Sequence, residues 1–152
     1  MSPSPLPYAL FPGSAREALT FYQDVFGGEL TLHTRAEFGR TDEPLTAIAH
    51  GMLTGLVTLY GADAEGNTPG GSAGGDAEGN AAGGSAGGIR SEGLMLTLLG
   101  TAEPSTLRAW FARLSDGGRV VDDFQERPWG AWDGQVIDRY GLHWLVGFEP
   151  EQ

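Results

Sequence analysis

An amphipathic helix closed by two glycines occurs twice in this chain, at matching places. In the first copy Ala18, Leu19, Tyr22, Val25 and Phe26 recur at helical spacing and Gly27-Gly28 follows. In the second, Leu107, Trp110, Phe111 and Leu114 form the apolar stripe and Gly117-Gly118 follows. Residues three and four apart share one face of a helix, so each run predicts a surface helix with one buried side. A glycine just past the stripe adopts the left-handed conformation that ends a helix without a Cβ clash. Phe21 and Phe111 precede their glycine pairs by the same interval, and Leu30 and Val120 follow them by the same interval. The repeat therefore covers the flanks of the helix as well, and it predicts a duplicated α+β unit rather than a doubly wound parallel sheet.

The strand patterns complete that unit. Leu6 to Phe11 is a short apolar run bounded by Pro and Gly, and Glu29 to Arg35 alternates. Leu45 to Leu53 and Gly55 to Tyr60 read as two further strands joined by a turn at Thr54-Gly55. Ser14, with Glu17 three residues on, has the pattern of a capping box at the start of the first helix. In the second half, strands are expected at Gly93 to Leu99, Arg119 to Phe124, Gly134 to Ile137 and Leu142 to Phe148, with the helix over Pro104 to Leu114. The expectation is two βαβββ modules, residues 1–60 and 91–152. Their curved mixed sheets should enclose one cleft, with the helices on the outside.

Between them, residues 61–90 differ in kind. Asp63 to Gly75 is repeated almost unchanged as Asp76 to Gly88, with Thr68 and Pro69 becoming Ala81 and Ala82. Small and polar residues bury too little apolar surface to offset the entropy of ordering, so the segment reads as a flexible linker expanded by duplication. A calcium loop would need more carboxylates than this.

Composition excludes several chemistries. The formal net charge is -11, a field that repels nucleic acid and anionic lipid. There is no Cys, hence no disulfide framework, thiol nucleophile or cysteine metal site. All nine basic residues are Arg, so neither a Schiff-base lysine nor a phosphate-loop lysine is present. No signal segment or membrane span is evident, and a cytoplasmic protein is expected. Asp122-Asp123 cannot act as a carboxylate pair, because adjacent strand residues face opposite ways.

The stretch from Pro7 to Gly28, with Glu17, Phe21, Tyr22, Phe26 and then Glu29, resembles the opening element of PhnB-like proteins in the vicinal-oxygen-chelate (glyoxalase/bleomycin resistance) superfamily. Trp129-Gly130, Asp138 and Tyr140 to Trp144 resemble that family's later elements, although Arg139 stands where the family usually has Pro. The resemblance implies the two-module fold, a small-molecule cleft and frequent dimers. It also implies that members with a catalytic metal draw His, Gln or Glu ligands from the first and fourth strands of each module. Here those strands offer only His143, and Leu145 stands at the position of the usual final glutamate. No metal and no cofactor are therefore expected.

The candidate ligand-binding residues are Tyr8, His50, Trp129, Trp132 and His143. His50 reads either as a hydrogen-bonded histidine on the sheet surface or as a pocket donor or general base, since imidazole titrates near neutrality. His143 shares strand parity with Leu145 and faces either the cleft or the core. Trp129 and Trp132 lie among Gly and Pro, away from a long strand, and read as packing residues or as an aromatic wall. Tyr8 would add a hydroxyl. Trp144 is assigned to the core and His33 to solvent. The expected function is metal-free binding of a small apolar or aromatic molecule by a homodimer, of the drug-sequestering or carrier kind. The alternatives are a metal-dependent lyase, isomerase or dioxygenase of the same superfamily, or a non-catalytic protein whose cleft is filled by side chains.

Overall fold

The computed structural model describes residues 5–64 and 93–150. They belong to two compact units. The first contains β1 (Tyr8–Phe11), α1 (Ala15–Phe26), β2 (Glu29–Thr34), β3 (Ile48–Thr54) and β4 (Leu59–Asp63). Its strands lie in the order β1-β4-β3-β2, with β1 parallel to β4 and the other pairs antiparallel. The second repeats this plan with β5 (Leu96–Leu99), α2 (Pro104–Ser115), β6 (Arg119–Glu126), β7 (Trp132–Ile137) and β8 (His143–Phe148), in the order β5-β8-β7-β6. Each unit is the expected βαβββ module, and the architecture is α+β.

Each helix packs its apolar stripe on one face of its own sheet. Ala15, Ala18, Leu19, Tyr22, Val25 and Phe26 are buried together with Phe11, Leu53 and Leu59. In the second module Leu107, Trp110, Phe111 and Leu114 are buried with Leu98, Val136, Trp144 and Val146. Each Leu, Val or Phe among them contributes about 1.5–3 kcal/mol by leaving water. The glycine pairs do related work in the two modules, although Gly28 itself also takes a positive φ, 103°. Gly27 and Gly117 take positive φ, 76° and 79°, and turn the chain off the helix. A Cβ on Gly28 would collide with the Thr54 carbonyl, and one on Gly118 with the Ile137 carbonyl. The second glycine thus lets the outgoing strand start against the end of its neighbour.

The structure corrects four local expectations. Ser14 makes no side-chain capping bond. Asp63 caps α1 instead, accepting the Ala15 N–H at 2.9 Å through Oδ1 and the Ile48 N–H at 2.8 Å through Oδ2. The fourth strand runs from Leu59 to Asp63 rather than over Gly55 to Tyr60, because pairing with β1 extends to Phe11↔Asp63. Gly61, Ala62 and Asp63 are therefore strand rather than linker. At Gly61 a Cβ would sit 2.9 Å from the Phe11 ring. Third, β3 starts at Ile48 rather than Leu45, since Pro44 to Ala47 forms a turn closed by Ala47 N–H to Pro44 O. Finally, β7 begins at Trp132. The linker reading of the tandem repeat falls on residues 65–92, outside the described residues.

Candidate functional site

Strand alternation assigns each candidate to a face. In the first module Phe11, Leu53 and Leu59 point toward α1, which leaves Tyr8, Tyr60, His50, Met52 and His33 on the opposite face. The register agrees: Tyr8 pairs with Tyr60, Tyr60 with Met52, and His50 with His33.

On that face Tyr8 Oη lies 2.8 Å from His50 Nδ1, and the two rings stack with centroids 5.6 Å apart. Tyr60 stands edge-on to both, 6.5 Å from Tyr8 and 5.7 Å from His50. Burial raises the Tyr8 pKa above its ordinary value, so the phenol keeps its proton and donates it to Nδ1. With Nδ1 accepting this bond, the other ring nitrogen, Nε2, is turned away from Tyr8. Among the described residues Nε2 has no hydrogen-bond partner.

The turn after β2 adds a further ring. Phe38 stacks on His33 at 5.3 Å and faces His50 at 6.5 Å, with interplanar angles of 25° and 26°. His33, Phe38, His50 and Tyr8 thus form a connected set of rings, each within 26° of parallel to the next. His33, expected in solvent, is half-buried beneath Phe38 and 3.6 Å from the Glu37 carboxylate. Thr34 and Glu37 brace the turn reciprocally: the Thr34 N–H donates to Glu37 Oε1 at 3.0 Å and the Glu37 N–H to Thr34 Oγ1 at 3.1 Å. The buried Arg35 guanidinium ties the turn to the Glu43 and Ala64 carbonyls.

The second module places the other candidates. His143 lies on the face of β8 turned away from Trp144, with Nε2 3.0 Å from Gln135 Oε1. Burial, and then the positive charge of Arg119, lower its pKa, which favours neutral imidazole. Trp132 shares strand parity with the buried Gly134 and Val136, so it lies on the α2 side of the sheet. The Arg108 guanidinium sits 4.5 Å over its ring, and Phe124 stacks on it at 6.3 Å. Trp129 sits in the turn closed by Gly130 N–H to Arg127 O and is 71% exposed. The two tryptophans therefore do not form one wall: β7 begins at Trp132, and alternation commits that ring to the helix face. Trp144 is in the core, its Nε1–H donating to Asp138 Oδ2 at 2.8 Å.

The donors do not fit a divalent metal of the kind the resemblance implies. On the faces away from the helices, β1 and β4 offer Tyr8, Leu10, Tyr60 and Ala62, and β5 and β8 offer Thr97, Leu99, His143 and Leu145. Asp63, brought into β4 by the corrected register, spends both oxygens on backbone N–H groups. Among the described residues no group of three or more His, Cys, Asp or Glu is arranged to hold an ion. A groove of about 490 Å³ lies elsewhere on the first module, between Arg16, Glu17 and Thr20 of α1 and residues 44–48. Of its two carboxylates, Asp63 already accepts two backbone N–H groups.

Reasoning from sequence missed Phe38, Tyr60 and Asp63. Tyr60 stood at the end of a misplaced strand, and Phe38 lies in a turn with no periodicity to assign its direction.

The family model described as Glyoxalase/Bleomycin resistance protein/Dioxygenase superfamily matches residues 5–146. Protein YjdN of Escherichia coli is 27% identical over 163 aligned positions, spanning 96% of this chain and 95% of that one. The crystal structure of protein PA1353 from Pseudomonas aeruginosa superposes with a TM-score of 0.75 at 24% identity, over 99% of this chain and all of that one. A PhnB protein from Bacillus cereus gives 0.67 at 15% identity, over 96% and 99%. At these identities the two structures establish likeness of fold.

Proposed function

We propose that this chain, which belongs to the Glyoxalase/Bleomycin resistance protein/Dioxygenase superfamily, binds a small apolar or aromatic molecule on the sheet face that carries Tyr8 and His50, without a metal. The observation that carries this reading is the Tyr8–His50 pair, stacked, hydrogen-bonded at 2.8 Å and flanked by Tyr60. Aromatic rings supply apolar contact area, and one oriented imidazole supplies direction, the usual composition of a small-molecule site. In the second module His143 is a further polar group for a ligand, held by Gln135. A cytoplasmic location and a homodimer belong to the same reading. The dimer is supported by the edge strands β1, β2, β5 and β6 that end the two sheets.

The test combines elemental analysis of the purified protein with calorimetric titration of a panel of small aromatic compounds. Binding with no stoichiometric metal, weakened at least five-fold by His50→Ala, is the expected result. A metal held at one equivalent, or binding indifferent to His50, overturns the reading and favours the lyase, isomerase or dioxygenase alternative.

A further inference from the structure

We propose that the groove between α1 and the turn before β3 is a second ligand site, and that it takes a small zwitterion with an apolar side chain, an α-amino acid of the leucine kind. The groove shares no residue with the Tyr8–His50 face, so this inference stands or falls apart from the site proposed above.

Two opposite charges line this groove without neutralising each other. Arg16 donates from Nη2 to the Thr46 carbonyl at 3.2 Å and has no carboxylate partner among the described residues. The Glu17 carboxylate has neither an ion pair nor a hydrogen bond among them. Asp63, the remaining charged group of the lining, spends both oxygens on the Ala15 and Ile48 N–H groups. A ligand therefore meets one available cation and one available anion from adjacent residues of one helix. A simple anion is attracted by Arg16 and repelled by Glu17, and a simple cation the reverse. A zwitterion gains from both, which is the charge pattern that discriminates against the other two.

The rest of the lining supplies apolar contact. Pro44 and Ala47 are partly exposed, with buried Ile48 beside them, and the volume of about 490 Å³ lies within the range of small-molecule sites. These walls are fixed before a ligand arrives, which lowers the cost of binding. Asp63 ties the start of α1 to the start of β3. The turn between is closed by the Ala47 N–H on the Pro44 carbonyl and held by buried Arg35, whose Nη1 donates to the Glu43 carbonyl. The Arg16 bond to Thr46 reaches from the helix to that turn and orients the guanidinium in the groove. A branched aliphatic side chain covers Pro44 and Ala47, which glycine leaves bare.

The experiment titrates leucine, N-acetylleucine, leucinamide and glycine into the full chain and follows the methyl resonances of Thr20, Ala47 and Ile48 by NMR. Leucine should shift them saturably, with a Kd of about 1 mM or tighter. N-acetylleucine lacks the ammonium and leucinamide the carboxylate, and each should bind about ten-fold more weakly, the worth of one charge-assisted contact. Glycine should also be weaker than leucine. Glu17→Gln should weaken leucine by about the same factor while leaving N-acetylleucine unchanged, and Arg16→Gln should do so while leaving leucinamide unchanged, the pattern of a direct pairing. The Tyr8 and His50 ring resonances should stay in place throughout, and both variants should keep whatever aromatic binding the sheet face has. No saturable shift with leucine, or equal affinity for leucine and its two capped forms, overturns the inference without touching the sheet-face site. Leucine binding that moves the Tyr8 and His50 resonances in place of the three methyl groups overturns it as well.

Discussion

Replacing Asp63 by Ala tests whether the start of α1 is held from another strand rather than by its own first residues. The carboxylate accepts two backbone N–H groups, Ala15 at 2.9 Å and Ile48 at 2.8 Å, in a buried setting. A hydrogen bond to a charged group contributes about 1.5–3 kcal/mol, and each buried N–H left unsatisfied costs about 1–3 kcal/mol. These terms overlap, so a net loss of about 2–4 kcal/mol is expected for Asp63→Ala. In a chain of this size that lowers Tm by about 6–12 °C, at roughly 3 °C per kcal/mol. Asp63→Asn keeps one acceptor and should fall between. Ser14→Ala removes a side chain that makes no capping bond, and should stay within about 0.5 kcal/mol. Urea denaturation of the three variants, with far-UV circular dichroism as the readout, decides the matter. A loss under about 1 kcal/mol for Asp63→Ala, or a larger loss for Ser14→Ala than for Asp63→Ala, refutes the reasoning.

Further outcomes follow from the same structure. His143 should titrate below the ordinary imidazole pKa of about 6.5, since burial and Arg119 both disfavour its charged form. The unfolded chain then binds that proton more readily, so the stability His143 contributes is present above about pH 6.5 and is lost as pH falls through its lower folded value. A His143 ring-proton titration centred at or above 6.5 contradicts this. Joining Ala64 to Arg90 through a short Gly/Ser linker should change stability by less than about 1 kcal/mol, because loop closure costs about 0.6 kcal/mol per doubling of length. A shortened chain that fails to fold refutes that. Light scattering at micromolar concentration should give twice the monomer mass of 16.0 kDa; a monomer counts against the dimer.

The sequence disclosed whatever depends on neighbours along the chain. Both helices are periodic and closed by glycines, so their positions were legible to within a residue or so, and the duplication carried the βαβββ plan with them. Contacts across the fold were less legible. Asp63 lies 48 residues from the Ala15 N–H it accepts, whereas Ser14 and Glu17 offered a local signal that the fold does not use. The fourth strand was misplaced because Leu56 to Tyr60 looks strand-like by itself, while the pairing that decides its register comes from β1. Tyr8 and His50 were recognisable as candidates, but their bond joins strands separated by β4 and has no counterpart in spacing. Trp132 was misjudged for a related reason. Its Gly- and Pro-rich surroundings suggested a loop, yet pairing with Phe148 draws it into β7 and fixes its face.

The most direct test of the Tyr8–His50 site is a ligand-bound NMR titration of the metal-free full chain with a small aromatic compound. The ring resonances of Tyr8, His50 and Tyr60 should move together and saturate, and Tyr8→Phe should weaken binding by about five-fold, the worth of the roughly 1 kcal/mol hydrogen bond that orients His50. Shifts confined to other parts of the chain, or binding that appears only after a divalent metal is added, would contradict the account.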